Sequence, residues 1–335
     1  MDAEPTISTV RPLRESCIRR APPTRRALRD IYSCLDLRQQ SFRRDPTTRR
    51  RRDDPNLPKG TEYNHPIVHE SGSPTPASDT LVAELTRGLP VRLLQRIAAF
   101  DRAGSTNNLA RGLHATEPGG RDVVLADLQT EGRGRFGRRW YGERSSSLHC
   151  SMVVSTGAAH MLPVAAALAA AEAVQHVGLS EVGIKWPNDL VFDGRKLGGV
   201  LIESINPRTF VVGVGINVGR LVFPDDIAPG ATTVSNATGV EVPRMRVLSA
   251  LIRRMDERVA ELDDAGMRSN VLAAYRSRLA GLGRPVEFRH VDGSAAVQGT
   301  LEGVDDDGAL LLRTNDALLR FHAGDLTTQT SGHVP

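Results

Sequence analysis

The sequence is poor in cysteine, in lysine and in long apolar runs. Its 335 residues include only Cys17, Cys34 and Cys150, an odd number without the spacing of a metal site or a C-x-x-C pair. A disulfide scaffold is therefore excluded, and a reducing, cytoplasmic setting is expected. No apolar run reaches the roughly 18 residues that a membrane helix needs, so no membrane partner is predicted.

Lysine is the rarer of the two basic residues by a wide margin. Lysine and arginine together number 43, yet only Lys59, Lys185 and Lys196 are lysines. Two of them lie eleven positions apart in KWPNDLVFDGRK, which indicates that a compact ammonium group, and not a planar guanidinium, is needed there. The net charge of +4 arises mainly before residue 60, and the rest of the chain is close to neutral.

Residues 1–78 differ in composition from everything that follows them. They carry Pro, Ser, Thr and Arg without a sustained hydrophobic period and end in the linker-like SGSPTPASD. We predict a disordered basic extension. A nucleic-acid-binding tail is the alternative, but no pair of periodic helices marks a helix-turn-helix, so nucleic acid is not the expected partner.

From about residue 79 the pattern is that of a folded domain, which we expect to extend to residue 281. Helices are predicted over 105–115, with Ser105 as N-cap, over 163–178, over 246–262, and from there to about 279. Strands are predicted at DVVLADL, LHCSMVV, VGIKW, DLVFD, GGVLIESI and TFVVGVGINV. The mixed order of elements predicts an α+β fold with a central mixed β-sheet flanked by helices.

In the last part of the chain, short apolar runs alternate with turn sequences. In residues 282–328, the short runs PVEFRHV, AAVQGTLEGV, ALLLRT and ALLRFH are separated by the turn sequences DGS, DDDG and ND. Strands at a spacing of about 8–12 residues predict a small C-terminal β-barrel domain.

Residues 129–140, QTEGRGRFGRRW, place four arginines and three glycines in twelve positions and end on one of the two tryptophans of the chain. The glycines match G-x-G-x-x-G, but a strand follows in place of a helix, which argues against a dinucleotide-binding fold. Arg133, Arg135 and Arg138 can instead close over a polyanion, and Trp140 offers a face for base stacking. An exposed basic loop beside a core tryptophan is the alternative.

A second polar cluster lies in residues 185–204, KWPNDLVFDGRKLGGVLIES. Asn188 and Asp189 follow a tight turn, where their oxygens can hold Mg²⁺ directly or through water. Lys196 then opens a strand in which Gly198 and Gly199 leave room for a ligand. This arrangement is typical of nucleotide activation, and a plain hairpin with a salt-bridged lysine is the alternative. GVGINVG, at 213–219, adds Asn217, whose amide can contact an adenine edge.

Taken together, the motifs resemble those of the biotin protein ligases, or biotin–[acetyl-CoA-carboxylase] ligases. The resemblance covers roughly residues 95–325. It is carried by Ser105-Thr106-Asn107, residues 129–140, Lys-Trp-Pro-Asn-Asp at 185–189, Lys-x-x-Gly at 196–199 and Gly-x-Gly-Ile-Asn at 213–217. It implies the class II synthetase-like fold of biotin and lipoate ligases, followed by an SH3-like barrel.

The resemblance also implies a reaction. Biotin and ATP condense to biotinyl-5′-adenylate, and a lysine of a biotin carboxyl carrier domain of acetyl-CoA carboxylase or a related acyl-CoA carboxylase attacks it. The implied substrates and cofactor are biotin, ATP and Mg²⁺, and a homodimer is compatible with the family. Two anions must approach each other in the first step, so cations placed between them lower the barrier.

Roles for individual residues follow from the resemblance, position by position. Catalytic roles are implied for Lys196, Arg135 and Arg133. Biotin contacts are implied for Ser105, Thr106, Asn107, Gln129, Gly132, Arg133, Gly134, Arg135, Lys196, Gly198 and Gly199. ATP contacts are implied for Arg138, Trp140, Asn188, Asp189, Lys185 and Asn217, and a Mg²⁺ site, bridged by water, for Asn188 and Asp189.

The chain departs from the family pattern at Glu131, an acid inside the arginine loop, which we expect to weaken phosphate affinity or to pair with Arg133. Two rival functions follow from other readings of the same sequence. A lipoate–protein ligase shares the fold but normally carries an Arg-Arg-…-Gly-Gly-Gly run, which this sequence lacks. A biotin-sensing DNA-binding regulator would use the basic N-terminal segment.

Overall fold

A computed structural model describes residues 96–116, 118 and 122–328, all of which belong to one compact unit. The predictions for residues 1–78, including the disordered extension and the nucleic-acid-binding tail, lie outside the described residues. None of the helices in the described ranges is long and apolar enough to cross a bilayer.

The centre of the molecule is a seven-stranded mixed sheet with the strand order β1-β2-β3-β7-β6-β5-β4. Its strands are β1 (Arg96–Ala103), β2 (Asp122–Gln129), β3 (Ser147–Ser155), β4 (Gly183–Lys185), β5 (Asp189–Phe192), β6 (Arg195–Asn206) and β7 (Thr209–Asn217). β1 pairs with β2 in parallel, and every other neighbouring pair is antiparallel.

The two faces of this sheet are chemically different because side chains alternate along each strand. On β3, Leu148, Cys150 and Met152 belong to the main hydrophobic core, whereas Ser147 and Ser151 are polar and buried on the opposite face. We call the face that carries Ser147 and Ser151 the polar face.

Among the described residues, five α-helices accompany the sheet: α1 (Thr106–Thr116), α2 (Leu162–His176), α3 (Val234–Thr238), α4 (Arg244–Asp263) and α5 (Arg268–Arg276). α2 belongs to the hydrophobic core, and its alanines allow close approach by α4. Its one buried acid, Glu172, is paired with Arg258 of α4 at 2.9 Å, which explains how a carboxylate can lie inside an alanine-rich helix.

The helix predicted to reach residue 279 ends earlier, at Arg276. Beyond it the backbone pairs with β4: Ile184 N donates to Arg278 O, and Ala280 N donates to Ile184 O. Tertiary pairing with a distant strand therefore replaces the last helical turn.

A second, antiparallel sheet follows, with the order β11-β10-β9-β8-β12. It comprises β8 (Pro285–Arg289), β9 (Val297–Val304), β10 (Leu310–Arg313), β11 (Leu318–Phe321) and β12 (Asp325–Thr328). Its buried apolar side chains belong to the same hydrophobic cluster as the core of the main sheet, and they include Val286, Phe288, Leu301, Leu310, Leu312 and Leu326. The predicted α+β fold class, with a mixed sheet and a small C-terminal β-domain, is confirmed, whereas β1 and β12 are strands that the sequence patterns did not reveal.

Trp186 joins the two parts. Its buried indole Nε1 donates to the carbonyl of Gly308, at the β9–β10 turn, over 3.1 Å. Its ring also lies 6.3 Å from that of Phe288 in the core of the second sheet. The start of the Trp-Pro-Asn-Asp segment is therefore anchored in the C-terminal domain.

Candidate active site

A cavity of about 160 Å³ opens on the polar face between α1 and residues 133–140. Most of the predicted site residues line it: Ser105, Thr106, Asn107, Gln129, Arg133, Gly134, Arg135, Arg138, Trp140, Asn188, Asp189, Lys196 and Gly199. The structure therefore brings together motifs that are spread over almost a hundred positions of the sequence.

Four predicted site residues do not line this cavity: Gly132, Lys185, Gly198 and Asn217. Gly132 and Gly198 act as spacers, because an added Cβ would lie 3.2 Å from Trp140 O at the first position and 2.7 Å from Gly215 O at the second. Lys185 lies opposite Asp189 in the β4–β5 hairpin. Direct ligand contacts from these four residues stay predictions.

One end of the cavity is built from uncharged hydrogen-bonding groups, and we call Thr106, Asn107, Gln129 and Ser151 the neutral end. The Thr106 N–H donates to Gln129 Oε1 over 2.8 Å, and the Thr106 hydroxyl donates to the same oxygen over 3.1 Å. The fully buried Ser151 Oγ lies 2.7 Å from Thr106 Oγ1 and 2.6 Å from Asn107 Oδ1. The start of α1 and the end of β2 are thus held in one fixed arrangement.

Two glycines of β7 make this packing feasible. A Cβ on Gly213 would overlap Asn107 Oδ1, and a Cβ on Gly215 would lie 2.7 Å from the indole carbons of Trp140. The Gly-x-Gly of the GVGIN motif therefore leaves space for side chains of the protein itself, one serving each end of the cavity.

The arginine-rich loop is a short hairpin in the structure, and we call residues 132–140 the arginine hairpin. Gly134 N donates to Arg138 O over 2.7 Å, and Trp140 N donates to Gly132 O over 2.8 Å. Phe136, at the tip, has a left-handed backbone (φ 58°) and a half-exposed ring, with the Arg135 guanidinium 4.7 Å from the ring centroid. The glycines supply a tight turn.

Each of the three predicted phosphate-binding arginines already has a protein partner. Arg133 Nη2 donates to Asn108 Oδ1 over 2.7 Å and pairs with Glu203 Oε1 at 3.0 Å. Glu203 also accepts from Asn107 Nδ2 over 2.8 Å. Arg133 is thus fastened beside the neutral end. The expected pairing of Glu131 with Arg133 is absent from the ion pairs of the described residues, in which Glu203 takes that place.

The other two arginines face the opposite end. Arg135 Nη1 donates to Asn188 Oδ1 over 3.3 Å. Burial lowers the pKa of the Arg135 guanidinium, and the nearby carboxylates of Asp325 and Asp189 oppose that shift. Arg138 Nη2 lies 2.8 Å from Asp325 Oδ2, a carboxylate from the second sheet.

Lys196 lies at the same end, where its Nζ is 2.7 Å from Asp189 Oδ1 and 5.7 Å from the centroid of the Trp140 ring. The β5–β6 hairpin sets this pair, because Asp193 and Gly194 both have positive φ, as a tight two-residue turn requires. We call Arg135, Arg138, Asp189 and Lys196 the charged end. The ion pair expected of a plain hairpin is present, and it lines the cavity.

The oxygens predicted to hold Mg²⁺ face protein cations. Asn188 Oδ1 accepts from Arg135, and Asp189 Oδ1 pairs with Lys196. Across the described residues, no group of three or more His, Cys, Asp or Glu side chains is placed to bind a metal ion. The protein by itself therefore offers a metal no more than a partial set of ligands.

Several buried polar atoms lack a hydrogen-bond partner among the described residues, and one of them belongs to Trp140, which lines the cavity. Trp140 Nε1 and Asn217 Oδ1 are two of them, and Asn217 is oriented by its Nδ2, which donates to Thr232 O over 3.3 Å. Ser147 Oγ and His149 Nε2 are two more, and burial lowers the pKa of His149 to about 4, so its ring is neutral at physiological pH. Buried atoms of this kind usually find a ligand or an ordered water.

A larger cavity, of about 430 Å³, adjoins the first and shares Arg135, Asn188, Val200 and Leu201 with it. Its other walls include the start of α2, the Trp186-Pro187 segment, Tyr275 of α5 and the C-terminal domain with His322. The charged end can thus be reached from the side where the two domains meet.

Sequence reasoning missed four side chains that shape the site: Ser151, Glu203, Asp325 and Asn108. The polar alternation of Ser147, His149 and Ser151 on β3 was a visible signal for the first of them. The other three are recognised only from contacts between distant segments.

Comparison with known proteins agrees with this geometry. Residues 99–219 match the biotin/lipoate A/B protein ligase family, and residues 281–326 match the biotin protein ligase C-terminal domain. The chain is 37% identical to the biotin–[acetyl-CoA-carboxylase] ligase of Paracoccus denitrificans over 231 residues, which cover 63% of this chain and 92% of that one.

Two further similarities extend the comparison. The biotin–[acetyl-CoA-carboxylase] ligase of Mycobacterium tuberculosis is 33% identical over 240 residues, 67% of this chain and 86% of that one. The structure of the biotin protein ligase from Aquifex aeolicus in complex with biotin and ATP superimposes with a TM-score of 0.63 at 26% identity, covering 71% of this chain and 100% of that one. The chain therefore belongs to the biotin/lipoate A/B protein ligase family and carries the C-terminal domain of the biotin protein ligases.

Proposed function

We propose that this protein activates biotin with ATP and transfers it to a lysine of a carrier protein. The observation that carries the proposal is the polarity of the cavity, with neutral hydrogen-bonding groups at one end and the ammonium group of Lys196 beside two arginines at the other. Biotin has the matching polarity, since it carries an uncharged ureido ring at one end and a carboxylate at the other. The named relatives and the Aquifex complex with biotin and ATP support this assignment.

In the first step, an oxygen of the biotin carboxylate attacks the α-phosphorus of ATP. The new C–O–P linkage forms as the bond to the β-phosphate oxygen breaks, and pyrophosphate leaves with that electron pair. Two anions approach each other, so Lys196 and Arg135 stabilise charge that grows toward the transition state. No protein nucleophile is required, and positioning supplies the rest of the acceleration.

We assign the substrates to the cavity by its chemistry. Thr106, Asn107 and Gln129, with Ser105 beside them, hold the ureido ring. Trp140 stacks on the adenine ring. Asn217 Oδ1, which is buried and has no hydrogen-bond partner among the described residues, accepts a hydrogen bond from the exocyclic amino group of adenine. Arg133 orders the neutral end through Glu203, and its contact with the phosphate of the adenylate stays a prediction.

Mg²⁺ fits the charged end as a companion of the nucleotide. Its preferred environment is several waters, substrate phosphates and one or two protein oxygens, and Asp189 and Asn188 supply no more than that. When bound, the ion would offset the negative charge of the triphosphate. Lys196 would then exchange Asp189 for the reacting carboxylate and phosphate.

In the second step, the neutral amine of an acceptor lysine attacks the carbonyl carbon of the adenylate. The new C–N bond forms as the C–O bond to the phosphate breaks, AMP leaves with that electron pair, and the amine releases a proton to water. The larger cavity between the catalytic and C-terminal domains offers a route to the charged end. We propose that the biotin carboxyl carrier domain of an acetyl-CoA or related carboxylase delivers its lysine there.

The decisive experiment is ATP–pyrophosphate exchange with and without biotin. We expect exchange only when biotin is present, since adenylate formation is the sole step that incorporates labelled pyrophosphate into ATP. Exchange supported by lipoate and not by biotin would identify a lipoate–protein ligase. Absence of exchange with both acids would contradict the proposal.

A further inference from the structure

The charged end of the cavity receives one side chain from outside the catalytic domain. Asp325 is the first residue of β12, at the edge of the second sheet, and its carboxylate lines the cavity with Oδ2 2.8 Å from Arg138 Nη2. Within the part of the chain that the structure describes, Asp189 and Asp325 are the two carboxylates of the cavity wall.

These two acids have different surroundings. Asp189 belongs to the same hairpin as its partner Lys196, so the pair is local and fixed by the β5–β6 turn. Asp325 and Arg138 lie almost two hundred positions apart and meet only because the arginine hairpin reaches the second sheet. The Arg138 side chain is 58% exposed, and an ion pair so open to water is weak enough to be exchanged for a stronger anion.

We propose that Asp325 competes with the phosphate groups of the nucleotide for binding to Arg138. In the empty site its carboxylate occupies Arg138 and lies near Arg135. When ATP binds, the phosphates displace it from Arg138, because a triphosphate offers several charged oxygens to the guanidinium where Asp325 offers one carboxylate. When pyrophosphate has formed, Asp325 returns to Arg138 and favours release of the product.

The inference depends on the proposed function, because it assumes that phosphates bind at the arginine hairpin. It adds a residue of the C-terminal domain that tunes nucleotide affinity and product release. It also makes a prediction of unusual sign: removing a charged residue from the wall of the binding cavity should tighten binding. A purely structural ion pair predicts the opposite, since its loss loosens the hairpin.

The test compares Asp325→Asn with the wild-type chain in buffer with Mg²⁺ and saturating biotin. Calorimetric titration with α,β-methylene-ATP, which cannot release pyrophosphate, measures affinity without turnover. We expect the dissociation constant to fall roughly two- to fivefold, the upper range of an exposed ion pair. The concentration of inorganic pyrophosphate that gives half-maximal exchange should fall by a similar factor, because pyrophosphate competes with Asp325 for the same guanidinium.

Two controls separate the mechanism from general charge effects. Glu302→Gln removes an equivalent charge from the same domain. Glu302 pairs with Arg313 over 2.7 Å and does not line the cavity, so this variant should leave both constants at the wild-type value. In an Arg138→Ala background, Asp325→Asn should lose most of its effect, because the competition is for that guanidinium.

The outcomes distinguish the two proposals. If the wild-type protein binds the nucleotide and Asp325→Asn binds it equally well or more weakly, the competitor role is wrong and the ligase function stands. Binding tightened to the same degree in Glu302→Gln would also overturn it, in favour of a diffuse charge effect. A wild-type protein that binds neither the nucleotide nor pyrophosphate would overturn the proposed function, and this inference with it.

Discussion

The two ends of the cavity satisfy their polar groups in different ways. At the neutral end, Thr106, Asn107 and Ser151 are buried, and they bond mainly to one another and to Gln129 through uncharged groups, with one further bond from Asn107 Nδ2 to Glu203. At the charged end, Lys196 and Arg138 are about half exposed and are paired with carboxylates.

This difference teaches how such a site can stay stable without its substrates. Uncharged groups that bond among themselves need no exchange of partners and can be pre-organised for a ring that adds hydrogen bonds to them. Clustered cations without an anion would repel one another, so each is provided with a carboxylate or amide that the substrate can replace. Under the proposed function, the neutral end is thus pre-organised for the ureido ring, whereas the charged end exchanges its protein partners for phosphate.

The largest effect is expected from a substitution of Lys196 at the charged end. We expect Lys196→Gln to reduce biotin-dependent exchange roughly 100-fold or more, as the loss of a charge contact in the transition state does. Biotin affinity should change far less, because the neutral end is untouched. The matched control is Arg195→Gln, which removes the neighbouring, exposed cation of the same strand. Exchange at the wild-type rate in Lys196→Gln would show that the assigned role is wrong.

The two glycines of β7 allow each end to be disturbed separately. Gly213→Ala should weaken biotin binding roughly tenfold, because the methyl group displaces Asn107, while Gly215→Ala should weaken nucleotide binding to a similar extent through Trp140. Calorimetric titrations with biotin and with α,β-methylene-ATP measure the pair of effects.

Gly157→Ala is the control for the glycine pair, since a Cβ there meets open space. If both cavity variants lost both ligands equally, the two ends would not be independent and the comparison would fail.

A milder change at the neutral end is Ser151→Ala. Asn107 Oδ1 and Thr106 Oγ1 would each lose a buried partner, so biotin affinity should fall roughly three- to tenfold and the free energy of unfolding by about 1 kcal/mol. Ser155→Ala, at the exposed end of the same strand, serves as the control. A fall in nucleotide affinity as large as that for biotin would contradict the assignment.

The smallest expected effect is that of salt. Raising the ionic strength from about 0.05 M to about 0.5 M should weaken nucleotide binding several-fold, because the exposed charges of the charged end are screened. Biotin binding should change less, since most of its contacts are with uncharged groups. Equal salt dependence for both ligands would remove the distinction between the ends.

Much of this architecture could be predicted from local sequence. The strand at DVVLADL, the alanine-rich helix opened by Pro163 and the Asp-Gly hairpin before Lys196 are encoded by periodicity and turn chemistry. The motifs also indicated which segments meet at the cavity, because polar residues and glycines recur where strands end.

What could not be predicted depends on contacts between distant parts of the chain. The last helix ends at Arg276 because the following backbone pairs with Ile184, and no local sequence pattern predicts that pairing. Glu203 and Asp325 look like ordinary surface acids in the sequence, and only the folded chain places them against Arg133 and Arg138. The arginines looked free for phosphate because their resting partners lie 70 and 187 positions away.

The indole of Trp186 has a practical consequence for anyone who would divide this protein. Its bond to the Gly308 carbonyl means that the segment presenting Asn188 and Asp189 is moored to a turn of the C-terminal domain. A fragment that stops near residue 281 would lose the acceptor of this hydrogen bond and would expose the indole ring of Trp186 to solvent. The catalytic and C-terminal domains are therefore expected to depend on each other for stability and are poor candidates for separate expression.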